Sequence, residues 1–275
     1  MSKVLIATEK PFAAPAVAGI KQILSKAGFD VVLLEKYTAK SELLAAVADV
    51  DAIIIRSDII DKEVFDAARQ LKIVVRAGAG YDNVDLEAAT AHGVCVMNTP
   101  GQNANAVAEL VFALLLFSVR NRFNGTSGTE LKDKKLGLLA YGNTGRNVAR
   151  IAKGIGMDIY AYDPFTPAEV IEKEGVHAVA SQKELFSTCD VVSLHIPATP
   201  ETKGSIGREL VSLLPKKAIL VNTARKEIIN EPELIALLKE REDLRYLADI
   251  RPAAHEEFEA AAGERYFSTP KKMGA

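Results

Sequence analysis

The chain has 275 residues, room for two domains of ordinary size. With 48% hydrophobic and 25% charged residues it reads as a globular protein with material for two cores. A net charge of −2 gives no global reason to expect nucleic acid or an anionic membrane as partner, so any anion must be held by local basic residues.

The N-terminus runs straight into a strand pattern, too short in apolar length for a signal peptide core. Strand patterns at 4–7, 31–35, 52–56, 73–77 and 94–98 alternate with helical patterns near 15–27, 41–47, 62–70 and 85–91. Continuous apolar strands separated by helices predict a parallel sheet covered on both faces. Asn98-Thr99-Pro100-Gly101-Gln102-Asn103 breaks this rhythm, and a domain boundary is expected there, giving domains 1–98 and 99–275. A long apolar helix near 105–120 follows. Its most apolar part, 107–119, contains Glu109 and falls short of the ~20 residues that cross a bilayer.

The alternation restarts at 136–140. Strands are predicted at 158–162, 191–195, 218–222 and 245–250, and helices near 144–154, 167–174, 182–188, 206–214 and 231–239. Cys95 and Cys189 show neither disulfide nor metal spacing and are expected as buried thiols of a reducing compartment, consistent with a cytoplasmic protein. No metal site and no membrane contact are expected.

Ala140-Tyr141-Gly142-Asn143-Thr144-Gly145 is a strand–turn–helix junction of the kind that cradles a dinucleotide. Gly142 would let backbone approach a pyrophosphate, and Gly145 would let the helix pack close on the strand. The helix N-terminus supplies N–H donors. Ala140 stands where the fingerprint has its first glycine, which matters only if φ is positive there, at roughly 1–2 kcal/mol. Asp163 ends the next strand, where a carboxylate accepts from the adenosine ribose and repels a 2′-phosphate, favouring NAD over NADP.

Five further segments carry a resemblance: Arg76-Ala77-Gly78-Ala79-Gly80-Tyr81-Asp82-Asn83-Val84-Asp85, Met97-Asn98-Thr99-Pro100-Gly101, Ala108-Glu109-Leu110, Leu194-His195-Ile196-Pro197 and Val221-Asn222-Thr223-Ala224-Arg225. In this order they resemble the D-2-hydroxyacid dehydrogenases over nearly the whole chain. The resemblance implies a flavodoxin-like substrate domain followed by a Rossmann NAD-binding domain, both open parallel sheets. It implies hydride transfer between NAD and a small anionic D-2-hydroxy acid. Arg225 would bind the substrate carboxylate and polarise its carbonyl, as a planar, permanently charged guanidinium suits. Asp249 would face the nicotinamide. His195, Pro197, Thr223 and Ala224 would line the cofactor cleft. The Gly78-Ala79-Gly80 turn could bind a carboxylate through backbone N–H groups. Arg56, Ser57 and Arg76 would bind a substrate phosphate, pointing to D-3-phosphoglycerate; glyoxylate, hydroxypyruvate or D-lactate are alternatives. The apolar helix near 105–120 would form a homodimer.

The family's catalytic Glu–His pair has no counterpart. Where Thr-Pro-His is usual, the chain reads Thr269-Pro270-Lys271-Lys272-Met273-Gly274-Ala275, and Ile250-Arg251-Pro252 replaces the glutamate context. A lysine is expected to deliver the proton, Lys272 in preference to Lys271, with His255 a distant second. An ammonium of ordinary pKa about 10.4 would need burial beside Arg225 to serve. Family members continue into helices that return to the first domain, so that domain is expected to lack a cover. A non-catalytic NAD-binding regulator is the reading of another class.

Overall fold

The computed structural model describes residues 2–274. The chain divides into two compact units, the first ending at Gln102 and the second beginning at Asn103. The division lies just past the expected 98/99 because Thr99 still donates its N–H to Gly78 O (2.9 Å) in the first unit.

In the first unit, β1 (Lys3–Thr8), β2 (Asp30–Glu35), β3 (Ala52–Ile55), β4 (Ile73–Arg76) and β5 (Cys95–Met97) form a parallel sheet in the order β2-β1-β3-β4-β5, the flavodoxin-like arrangement. The crossovers are α1 (Ala14–Lys26), α2 (Lys40–Val47), α3 (Lys62–Ala67) and α4 (Leu86–Ala91). Asp61 and Asp85 start α3 and α4 by accepting from Val64 N (3.3 Å) and Ala88 N (2.9 Å). Leu5, Ile53, Ile55, Val64, Phe65 and Val74 centre the core, on the face covered by α2 to α4. On α1, by contrast, no residue is fully buried. Cys95 is exposed, contrary to the sequence reading, because β5 is an edge strand.

The second unit opens with α5 (Ala104–Val119). Its sheet is built from β6 (Lys135–Leu139), β7 (Asp158–Tyr162), β8 (His177–Ala178), β9 (Val191–Leu194), β10 (Ile219–Asn222), β11 (Arg245–Ala248) and β12 (Tyr266–Ser268), in the order β12-β11-β10-β9-β6-β7-β8. Every pairing among the described residues is parallel, and the order reverses between β6 and β9, the place where open α/β sheets bind ligands. The helices are α6 (Asn143–Ile155), α7 (Ala168–Lys173), α8 (Gln182–Thr188), α9 (Arg208–Val211), α10 (Glu231–Glu240) and α11 (His255–Ala262).

The apolarity of α5 has a local cause. Ala108, Val111, Phe112, Leu114, Leu115 and Val119 are buried in this unit's own core with Leu136, Leu138 and Val148. Of its large apolar side chains only Leu116 is strongly exposed, at 41%. The helix expected at 206–214 shrinks to α9, because Ile206 is bridged to Ile229 in extended form and its N–H bonds Ile228 O.

Candidate active site

Within the first unit, β3 and β4 are paired with Ile55 opposite Arg76, so Arg56, Ser57, Arg76 and the turn 77–80 meet at one carboxyl edge. Arg56 and Ser57 are exposed and Arg76 is half-buried. Buried Asp58 braces this edge: it accepts from Glu9 N (2.8 Å), Tyr37 Oη (2.7 Å) and Arg56 N (3.2 Å). Burial foremost, then the hydrogen bond to Asp58 and its charge, hold the Tyr37 hydroxyl protonated far above its ordinary range. The anion nest needs a correction. Gly78 donates its own N–H to Arg76 O (2.9 Å), so that amide is taken. What Gly78 supplies is space, since a Cβ there would collide with the Arg76 guanidinium. Asn98 Nδ2 fixes the same turn by donating to Ala79 O (2.7 Å). With the Gly78 N–H engaged, Ala79 and Gly80 are the remaining candidates for backbone donation in this turn.

Within the second unit, a series of backbone bonds ties the strand ends together. Ala140 N bonds Tyr162 O, His195 N bonds Leu139 O, Asp249 N bonds Asn222 O and Thr269 N bonds Ala248 O. The residues expected to bind the cofactor therefore share one carboxyl edge.

Ala140 adopts φ +79°, so the missing glycine is felt here. A Cβ on Gly145 would stand 2.5 Å from Ala140 O, which is the close helix–strand approach that position requires. Gly142 has open space where a side chain would be. It precedes α6 without a side-chain cap, whereas α8 and α10 are capped by Ser181 and Asn230. The first N–H groups of α6, on Asn143 and Thr144, are thus left without a side-chain cap. Tyr141 is corrected: its ring is 1% exposed, its hydroxyl donates to Glu174 (2.9 Å), and its N–H donates to Asp163 Oδ2 (2.7 Å). Arg146 is committed as well, paired with Glu174 and stacked on the Tyr141 ring, so the helix N-terminus and not a side-chain cation is left for a pyrophosphate. Asp163 Oδ1 also accepts Phe165 N (2.8 Å), and each oxygen keeps a lone pair for a ribose hydroxyl.

In this unit Arg122 Nε, Ser193 Oγ, His195 Nε2 and Thr223 Oγ1 are buried without a hydrogen-bond partner among the described residues; of these, His195 stands past β9 and Thr223 past the adjacent β10, at the carboxyl edge. Unpaired polar atoms cost stability unless something binds them. Burial pushes the His195 imidazole down from 6.5 to about 4, so it is neutral at ordinary pH. Pro197 is exposed beyond it. The loop carrying Arg225 is shaped by Asn222, whose Oδ1 accepts Ala224 N (3.0 Å) and whose Nδ2 donates to Arg225 O (2.9 Å). Asn222, Asn98 and Asp58 are positioning residues that the sequence reading did not single out.

Asp249 is buried, and its carboxylate accepts Thr269 Oγ1 (2.7 Å), Met273 N (2.8 Å) and Gly274 N (3.2 Å). Lys271 and Lys272 are exposed, so the burial invoked for a catalytic lysine is not supplied by this unit. His255 is corrected too. Its Nδ1 meets Tyr266 Oη (2.9 Å) and its Nε2 meets Glu259 (3.2 Å), so both nitrogens are engaged in the packing of α11.

A glycine turn between a strand and an uncapped helix, an acid at the end of the next strand, and a parallel sheet whose order reverses between β6 and β9 are the features of a dinucleotide-binding α/β unit. Residues 116–267 match the family described as D-isomer specific 2-hydroxyacid dehydrogenase, NAD binding domain, and the chain belongs to this family. It is 40% identical over 234 residues to a D-3-phosphoglycerate dehydrogenase of Methanocaldococcus jannaschii, covering 80% of this chain and 43% of that protein. It is 36% identical over 219 residues to a hydroxypyruvate reductase of Thermotoga maritima, covering 74% of this chain and 70% of that one. A solved NAD+-bound 3-phosphoglycerate dehydrogenase of Entamoeba histolytica superposes with a TM-score of 0.91 at 48% identity, covering 100% of this chain and 88% of that one. The chain spans less than half the length of the M. jannaschii relative.

Proposed function

We propose that this chain interconverts a small D-2-hydroxy acid and its 2-keto acid with NAD, and that the substrate carries a phosphate, D-3-phosphoglycerate being the first to test. The reading rests on the Asn222-shaped loop, which sets Arg225 just past β10, the strand paired with the one that leads into His195, at the edge holding the dinucleotide turn.

Bound NAD would accept the hydride leaving C2 of the hydroxy acid, and in its reduced form would return it to C2 of the keto acid. The N–H groups of Asn143 and Thr144 hold its pyrophosphate beside Gly142 and Gly145, and Asp163 accepts from the adenosine ribose. Thr223 Oγ1, His195 Nε2 and the loop residues Ala224 and Pro197 line the nicotinamide side. Asp249 keeps one lone pair on Oδ2 for the carboxamide. Arg225 binds the carboxylate and polarises the C2 oxygen. In oxidation the hydroxyl proton passes to the Lys272 amine; in reduction its ammonium returns it. Lys271 is the alternative donor. Arg56, Ser57 and Arg76 take the phosphate, and Ala79 and Gly80 offer backbone donors. Support comes from the E. histolytica structure, described as NAD+-bound, and from the phosphoglycerate dehydrogenase relatives.

A second reading, reduction of hydroxypyruvate or glyoxylate, draws on the T. maritima relative. Comparing turnover of D-3-phosphoglycerate with D-glycerate separates them: a strong preference for the phosphorylated acid supports the first, and parity supports the second. Lys272→Ala should cut turnover about 100-fold or more with NAD affinity kept.

The proposal extends to a cytoplasmic homodimer. Both cysteines are free thiols, and among the described residues no helix is long and apolar enough to cross a membrane. Leu116 on α5 and Phe123 just beyond it remain exposed, a patch suited to a second copy. Sedimentation equilibrium reads the state, and a monomer would discard that part.

A further inference from the structure

We infer that Asp249 and Thr269 act together to position Lys272, a task distinct from the cofactor contact proposed for Asp249 and resting on the reading of Lys272 as the proton carrier. Asp249 follows β11 and Thr269 follows the neighbouring β12, and both are buried. Thr269 Oγ1 donates to Asp249 Oδ1 (2.7 Å) and accepts from Ile250 N (2.9 Å). Met273 N donates to the same Oδ1 (2.8 Å), and Gly274 N to Oδ2 (3.2 Å). One carboxylate thus holds both ends of a segment whose exposed middle is Pro270, Lys271 and Lys272.

The far end is seated a second time. Asn103 Nδ2 donates to Gly274 O (3.3 Å), and a Cβ on Gly274 would stand 3.1 Å from Val107 Cγ2 and 3.3 Å from Asp249 Oδ2. A side chain there would force these neighbours to give by a few tenths of an ångström. At the near end Ile250 takes φ +86°, a rare conformation for a β-branched residue, and its N–H is the one Thr269 receives.

The physical need is plain. A lysine presents its amine on a flexible four-carbon stem, so the amine is aimed only if the backbone beneath it is fixed. The pinned amide of Met273 is the peptide bond that leaves Lys272, so the Asp249 carboxylate fixes that Cα directly. Displacing a reacting group by about 1 Å costs on the order of 100-fold in rate.

The test uses the full chain and Thr269→Val, which keeps the shape and removes both hydroxyl bonds. Turnover should fall at least about tenfold while NADH affinity stays within about twofold, and Thr269→Ser should restore turnover. Hydrogen exchange at the Met273 and Gly274 amides should accelerate in Thr269→Val. Because the effect runs through Lys272, Thr269→Val added to Lys272→Ala should slow the enzyme no further, whereas a merely structural defect would add. Gly274→Ala, which displaces the other end, should give the same pattern if Thr269→Val fails to fold. An impaired Lys272→Ala beside Thr269→Val and Gly274→Ala variants with unimpaired turnover overturns this inference alone. Full activity in Lys272→Ala overturns the Lys272 reading and this inference with it.

Discussion

Asp163 Oδ2 accepts the Tyr141 N–H at 2.7 Å, so the acid that ends β7 also braces the turn that leaves β6. In the proposed function one carboxylate would both shape this turn and accept from the ribose. Asp163→Ala should weaken NAD binding at least about tenfold, the scale of one hydrogen bond to a charged group, and should narrow the gap between NAD and NADP. Titration of NADH and NADPH fluorescence checks both. Unchanged selectivity would mean the acid only braces the turn.

Ala140 and Gly145 should respond to substitution in opposite directions. Ala140 carries a side chain at φ +79°, so Ala140→Gly should stabilise by about 0.5 kcal/mol or more, the relief of the left-handed penalty less the added freedom of the unfolded chain. Gly145→Ala drives a Cβ into Ala140 O and should lower both the melting temperature and NAD affinity. Calorimetry with and without NAD reads the pair.

The neutral state of His195 sets a pH dependence. Burial lowers its pKa from 6.5 to about 4, so the unfolded chain takes up the proton more readily than the folded one. The stability this residue contributes is complete above pH 6.5 and is lost as pH falls toward about 4. Urea midpoints should drop on acidification through that window, and His195→Gln should flatten the decline.

Sequence patterns located the long elements and the dinucleotide turn because those signals are local. Runs such as Leu136–Ala140 and the Gly142/Gly145 spacing announce themselves within a few residues. β8 and β12 span only two and three residues and carry no readable period. The braces were hidden for another reason: Asp58 reaches Glu9 and Tyr37, and Thr269 reaches Asp249, across 20 to 49 positions of sequence. His255 looked chemical as a lone histidine near the C-terminus. Its partner Tyr266 became visible only once α11 and β12 were packed together. The same holds for Tyr141, whose place in the motif suggested cofactor contact until its ring proved buried.

Gly78 and Arg76 offer a prediction for the first unit. Gly78→Ala would push the Arg76 guanidinium out of its present place. The KM for a phosphorylated substrate should rise about tenfold or more, as for loss of a charge-assisted contact, with NAD affinity untouched. Steady-state kinetics with D-3-phosphoglycerate and NAD measure both, and an unchanged KM would remove Arg76 from the phosphate site.

NAD reduction by D-3-phosphoglycerate, followed as NADH absorbance in the wild-type chain and in Arg225→Lys, tests the proposed activity most directly. The wild type should turn over, and Arg225→Lys, which keeps the charge but loses the planar fork, should fall by about 100-fold or more in kcat/KM. Tight NAD binding with no NADH formed from D-3-phosphoglycerate, D-glycerate, glycolate or D-lactate would contradict the enzyme reading and leave a cofactor-binding regulator in its place.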